Sequence, residues 1–177
     1  MADKNDLARI ITGCQAGKPE EFERLVDIYA KRCYAYFYRL TGNAEISDDL
    51  LSELFVKLVE KIGSYRGGSF ESWLFKTARN IFHDYLRAKQ HRSKLLQVRK
   101  RQFESSLTET KKSSREQIDE LQIQFGKLDT DTRELIMLRF YSRLSFKEIA
   151  KMRSEPIGTT LSKLHRGLKK LRELMEQ

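Results

Sequence analysis

Residues 66–89 read RGGSFESWLFKTARNIFHDYLRAK, a stretch that mixes six aromatic or histidine rings with closely spaced lysine and arginine. Rings of this kind stack on unpaired bases and the cations neutralise phosphates, so the residue types fit a single nucleic-acid strand. Gly67 and Gly68 lack a Cβ, which lets backbone approach a ligand closely. Acid–base chemistry would need Asp84 to work with His83 or His91. No second carboxylate, nucleophile or phosphate-cradling loop stands at a suitable spacing beside them. The chain therefore reads as a binding protein and not as an enzyme.

A helix has to position these side chains. At about 100° per residue, Phe70, Leu74, Ala78, Ile81 and Tyr85 share one side, and Phe75, Phe82 and Leu86 widen that apolar arc. Trp73, Lys76, Asn80, His83 and Arg87 fall together on the other side. Each has a plainer reading too. Trp73 suits a boundary residue at the domain's edge as well as a base contact, and His83 suits a surface histidine. Asn80 can bond a neighbouring loop, and Lys76, Arg79, Arg87, Lys89 and Arg92 can simply be solvated.

A second set of such residues lies near the end. Ser145 and Glu148 have the spacing of a capping box, which opens a short helix. Arg153, Ser154 and Glu155 follow as a turn, and Pro156 marks the start of a longer helix. These are the parts of a helix-turn-helix. Ile157, Leu161, Leu164, Leu168, Leu171 and Met175 recur in steps of four and three and predict one buried stripe, in which Leu161 can equally be partly exposed because a helix-turn-helix core does not need every apolar position. Thr159, Ser162, Lys163, Arg166, Lys169 and Lys170 lie off that stripe, where hydroxyls and cations suit a DNA major groove.

The charge is distributed to match. Residues 1–64 hold 9 Lys/Arg against 11 Asp/Glu, residues 65–117 hold 13 against 5, and residues 118–177 hold 12 against 9. An acidic front and a basic middle imply different partners, with a polyanion opposite the middle. No apolar run approaches the ~18 residues of a membrane span, and the N-terminus lacks the pattern of a secretory signal. A cytoplasmic protein without membrane insertion is expected. Cys14 and Cys33 fit neither a disulfide framework nor a metal-binding pair, and free thiols suit a reducing compartment. No cofactor, metal or small-molecule substrate is expected.

Helix punctuation is clear and strand signals are absent. A short helix ends at Gly17. Pro19 begins a second, which runs to about Gly42. A third stops near Gly63, with Leu51, Leu54, Phe55, Leu58 and Ile62 on one face. Ser69 caps the fourth. Residues 93–117 are polar and lose the period. The fold class predicted is all-α: two small helical domains, residues 1–92 and 118–177, joined by a polar linker over 93–117. Asp48, Asp49 and Glu53 sit early in the third helix. They can complement its dipole or, beside Leu50 and Phe55, dock a basic partner helix.

In this order the pieces resemble the sigma-70 family of bacterial transcription initiation factors, and within it the small extracytoplasmic-function class. The segment DDLLSELFVKL is similar to the core-polymerase-binding helix of region 2. YRGGSFESWLFKTARNIFHDYLR is similar to the segments that melt and read the −10 promoter element. LSFKEIAKMRSEPIGTTLSKLHRGLKKLREL is similar to the region 4 helix-turn-helix that reads the −35 element. The resemblance implies that Asp48, Asp49, Glu53 and Phe55 face the clamp helices of core RNA polymerase. It implies that loop residues Arg66, Gly67, Gly68 and Ser69 capture a flipped −10 base, with Trp73, Lys76, Asn80 and Arg87 along the melted strand. Thr159, Ser162, Lys163, Arg166 and Lys170 would enter the −35 major groove. An anti-sigma factor is implied as a further partner. The sequence departs from the family pattern at Ser52, where Gln is common, and at Arg153 and Ser154, which replace an apolar-Gly turn. It departs again at Thr160 and Leu161, where Val and a basic residue are frequent. The competing reading is a stand-alone helix-turn-helix regulator that binds duplex DNA without polymerase.

Overall fold

Local capping and turn chemistry marks several of the helix boundaries. A computed structural model of the chain describes residues 4–102 and 120–176, with side chains over 5–95 and 120–176. The described residues form eight α-helices and one 3-10 turn, with no strand among them. Helix α1 spans Lys4–Gln15 and α2 spans Pro19–Thr41. Pro19 opens α2 at a position where no intrahelical N–H is needed. Gly42 closes it in the left-handed conformation at φ 66°. Helix α3, Ala44–Lys61, is capped by Asn43, whose side chain accepts from the Ile46 N–H. The chain then tightens into the 3-10 turn Ile62–Ser64.

Helix α4 spans Phe70–Gln102. Its first turn is held by the Ser69 hydroxyl, which accepts from the Ser72 N–H at 3.1 Å. The helix continues into the stretch read as linker, and residues 103–119, which include the rest of that stretch, lie outside the described residues. The second set comprises α5 (Glu120–Gly126), α6 (Thr130–Tyr141), α7 (Phe146–Arg153) and α8 (Ile157–Met175). The Ser145–Glu148 capping box is formed in full at the start of α7.

The apolar arc of α4 is buried as its spacing requires: Phe70, Leu74, Phe75, Ala78, Ile81 and Phe82 are in the core, with Tyr85 and Leu86 packed against its edge. One hydrophobic cluster continues from these residues through Leu25, Phe37 and Leu54 to Phe125, Leu138 and Ile149. The two helical sets are thus packed together, α2 against α6 and α5, and α4 against α7. Arg32 on α2 donates to the Tyr141 carbonyl from both Nε and Nη2, at 3.0 and 2.9 Å. Its guanidinium also lies over the Tyr29 and Phe75 rings. Arg133 donates to the Leu40 carbonyl, and Gln122 and Arg39 bond each other's polar groups.

The stripe expected on α8 is met at Leu164, Leu168 and Leu171 and missed at Ile157, Leu161 and Met175. Thr160, Leu164 and Gly167 are buried and Leu168, Leu171 and Leu174 are half-buried, whereas Ile157, Leu161 and Met175 are exposed. Thr160 takes the inward position because its hydroxyl has an acceptor there, the half-buried Glu155 carboxylate at 3.0 Å. Both thiols are free and buried, and burial pushes Cys14 up to about 11 and Cys33 up to about 12. Among the described residues no helix is long and apolar enough to cross a membrane, and no group of His, Cys, Asp and Glu could hold a metal ion.

Candidate nucleic-acid and polymerase interfaces

The loop between the 3-10 turn and α4 is built around two glycines that only the left-handed region accommodates. Gly67 sits at φ 98° and Gly68 at φ 91°, conformations costly for a residue with a Cβ. The Tyr65 hydroxyl closes the loop by donating to the Gly68 carbonyl at 2.8 Å. Arg66 folds back onto the Gly63 carbonyl. Beneath the loop, Tyr65 packs edge-on against Phe70 and Trp73, with ring centroids 5.4 and 5.9 Å away. Trp73 is therefore a half-buried boundary residue that supports the loop.

Residues 65–71 form one wall of a cavity of about 790 Å³, and Leu7, Ile11, Thr12 and Gln15 of α1 form the other. Helix α1 was assigned no part in the site from sequence. Gln15 nevertheless fixes the wall, because its Nε2 donates to the Ile62 carbonyl at 3.0 Å and the Tyr65 carbonyl at 2.9 Å. Those partners are 47 and 50 residues away in sequence, so no local pattern could have flagged it. Glu148, from α7, lines the same cavity. Its carboxyl is held below the usual range first by the Ser145 hydroxyl, with Ser69 adding to the effect.

Along α4, Lys76, Asn80 and Arg87 are exposed, and Arg87 pairs with Asp84 one turn earlier. His83 is not free on that face. Its Nε2 lies 2.6 Å from the Glu134 carboxylate, which also pairs with Arg79 and Arg153. Glu134 is only 1% exposed. A buried carboxylate is tolerated when it is paired and hydrogen-bonded, and here Arg79 and the His83 ring come from α4 and Arg153 from α7. Tyr36 is buried beside this cluster, and burial, reinforced by the Glu134 charge, raises its phenol well above the usual range.

On α3, Asp48, Asp49 and Glu53 are exposed, while Phe55 is half-buried against the core. Glu53 pairs with Lys57 one turn on. Val56 and Val59, more than half exposed, extend the same side of the helix as Asp49 and Glu53. The acidic strip thus has an apolar continuation that the buried-face reading of α3 passed over.

In the helix-turn-helix, Thr159, Ser162, Arg166 and Lys170 are exposed and Lys163 is half-buried. The turn departs from an apolar-Gly pattern and solves the geometry differently. Ser154 takes the left-handed conformation at φ 54°. Arg153 buries its side chain, leaving 3% exposed, and its guanidinium meets Asp131, Glu134 and Glu155. Lys163 joins the network through Glu155 at 2.7 Å and Asp131 at 3.4 Å. Burial pushes the Glu155 carboxyl up, but hydrogen bonds from Lys163, Arg153 and Thr160 outweigh it and hold the group at about 2. His165 is exposed on the outer face of α8 between Leu161 and Lys169, a position to which the sequence reading gave no role.

Two family models match the chain: Sigma-70 region 2 over residues 25–92 and Sigma-70, region 4 over residues 125–173. The chain is 30% identical to the ECF RNA polymerase sigma-E factor of Escherichia coli, covering 89% of this chain and 88% of that protein. It is 29% identical to the ECF RNA polymerase sigma factor SigE of Mycolicibacterium smegmatis, where 93% of this chain spans 65% of the relative's length. Its fold matches that of the sigma factor RpoE from Bartonella quintana, solved with the anti-sigma factor NepR. That match has a TM-score of 0.70 at 24% identity, over 89% of this chain and 98% of that one.

Proposed function

This chain belongs to the sigma-70 family, in its extracytoplasmic-function class, and on that premise we propose how its surfaces direct RNA polymerase to a promoter. The exposed strip of Asp48, Asp49 and Glu53 binds the clamp helices of core polymerase, with Val56 and Val59 adding apolar contact and Phe55 bracing the strip from the core side. The loop of Arg66, Gly67, Gly68 and Ser69 takes a base flipped out of the −10 element into the cavity between it and α1. The exposed Lys76, Asn80 and Arg87, with the accessible edge of Trp73, follow the separated strand. The recognition helix α8 enters the −35 major groove with Thr159, Ser162, Lys163, Arg166 and Lys170.

The observation that carries this reading is the cavity. Its loop wall is built on two positive-φ glycines with Arg66 beside them, and Phe70 and Glu71 of the first turn of α4 complete that wall. No covalent chemistry is required. The energy for strand separation comes from stacking and phosphate contacts made only with the unpaired strand, and stacking alone is worth ~1–3 kcal/mol per base. A stand-alone regulator would have no use for such a cavity beside the helix-turn-helix.

The packed arrangement adds a condition. Glu148 of α7 and the 66–69 loop share one cavity, so the first helix of the helix-turn-helix lies against the −10 loop. Promoter elements centred ~25 base pairs apart are separated by on the order of 85 Å of duplex. The two halves must therefore part when polymerase and promoter engage them. An anti-sigma partner, as NepR is for the Bartonella protein, would act on this opening, and the cytoplasm is where all these partners meet.

The test is strand opening. Gly68→Val forces a β-branched residue into φ 91° and should leave −35 duplex binding unchanged while abolishing permanganate reactivity of −10 thymines in the holoenzyme complex. Wild-type reactivity in that variant would remove the loop from the account.

A further inference from the structure

We propose that Ile157 and Leu161 read thymine methyl groups in the −35 duplex, so that α8 discriminates bases by apolar contact as well as by hydrogen bonds. This rests on α8 being the −35 reader. Ile157 is 48% exposed and Leu161 43% exposed. They stand one turn apart, about 40° from each other around the axis. Single exposed aliphatic residues are ordinary on protein surfaces. Two in register at the N-terminal end of a helix, where a recognition helix meets base edges, are a patch in a particular place.

The neighbours narrow what that patch can meet. Thr160, Leu164 and Gly167 face inward, so the pair lies outside the core and contributes little to holding α8 in place. Gly158 lies beside it, and a Cβ built there would meet nothing within 4 Å, so the backbone at this end is open to close approach. Ser162, His165, Arg166 and Lys169 continue the exposed face. The partner must then be anionic along its flanks and apolar at the point where Ile157 and Leu161 arrive. A duplex major groove has that pattern: phosphates form its walls, and the C5-methyl of thymine is the apolar group on its floor. A protein partner would need acidic residues ringed around an apolar knob.

The methyl group can be removed from the DNA without touching the protein. Holoenzyme reconstituted from core polymerase and the full chain would first select its −35 element from a randomised duplex. The selected duplex would then be rebuilt with deoxyuridine in place of each thymine, one position at a time. One or two substitutions should weaken binding by about fourfold each, the worth of one buried methyl-sized group. Leu161→Ala or Ile157→Ala chains should bind the thymine and uracil forms alike.

A selected element without thymine on either strand would overturn the proposal. So would equal binding of thymine and uracil forms by the unaltered chain, which would leave the pair to a protein surface. Arg166→Ala separates this from a failure of the premise. If it weakens the same duplex, α8 reads the −35 element whatever the methyl result. If no α8 substitution and no base change alters binding, the −35 assignment itself fails.

Discussion

Lys163 is held in an ion-pair network and is also proposed to contact DNA, and the two make different demands on it. Its ammonium has three N–H donors, of which Glu155 and Asp131 engage two, leaving one for a phosphate. The cation was legible in the sequence as part of an off-stripe basic face. Its anchoring was not, because Asp131 lies 32 residues away. The Glu155 carboxyl sits at about 2 in the folded chain against 4.5 ordinarily. A depressed carboxyl stabilises the fold above its unfolded value and loses that contribution as pH falls toward the folded one. We expect stability to drop between about pH 4.5 and 2. Lys163→Ala, by removing one hydrogen bond to Glu155, should move the acid-unfolding midpoint upward. Circular dichroism during acid titration reads this directly, and identical midpoints would mean that Lys163 does not hold Glu155 down.

Helix boundaries were the most legible feature at the scale of elements, since Pro19, Gly42, Ser69 and the Ser145–Glu148 pair are local signals with local causes. The face of α8 was legible only in part. A hydroxyl at Thr160 looks like a surface residue until Glu155 is known to face it, and Leu161 looks like a core residue until Thr160 has taken its place. The turn before α8 shows the same limit. Ser154 replaces a glycine-like position and pays with a left-handed backbone at φ 54°, a strain of roughly 1 kcal/mol or more for a residue with a Cβ. Ser154→Gly should therefore stabilise the chain by about 1 kcal/mol in denaturant unfolding, with the helix angle unchanged because Arg153 still ties α7 to α6. A loss of stability would show that the Ser154 side chain has a role of its own.

Over the whole molecule, the sequence marks two helical halves and a polar stretch between them, yet says nothing about how the halves meet. The contacts that join them link residues 51 to 109 positions apart, His83 with Glu134 and Arg32 with Tyr141, and no periodicity reaches that far. Glu134 is the centre of that junction. Glu134→Ala leaves Arg79 and His83 of one half without their carboxylate and Arg153 with one partner fewer. Removing one member of a buried pair costs ~3–5 kcal/mol, and the remaining partners of Arg153 place this case at about 3 kcal/mol. We expect a lower thermal midpoint and a larger radius of gyration by small-angle scattering as the halves separate. Unchanged scattering would mean that the apolar packing of α2 on α6 suffices alone.

The acidic strip of α3, exposed on the surface, is the one proposed to bind core polymerase. The most direct measurement is gel filtration of the purified chain with bacterial core RNA polymerase, with and without Asp49→Arg. The account predicts stoichiometric co-elution that the reversed charge abolishes while the helical circular dichroism signal stays the same. Co-elution that survives Asp49→Arg would contradict the assignment of the strip. A chain that never co-elutes but binds duplex DNA tightly alone would contradict the account as a whole.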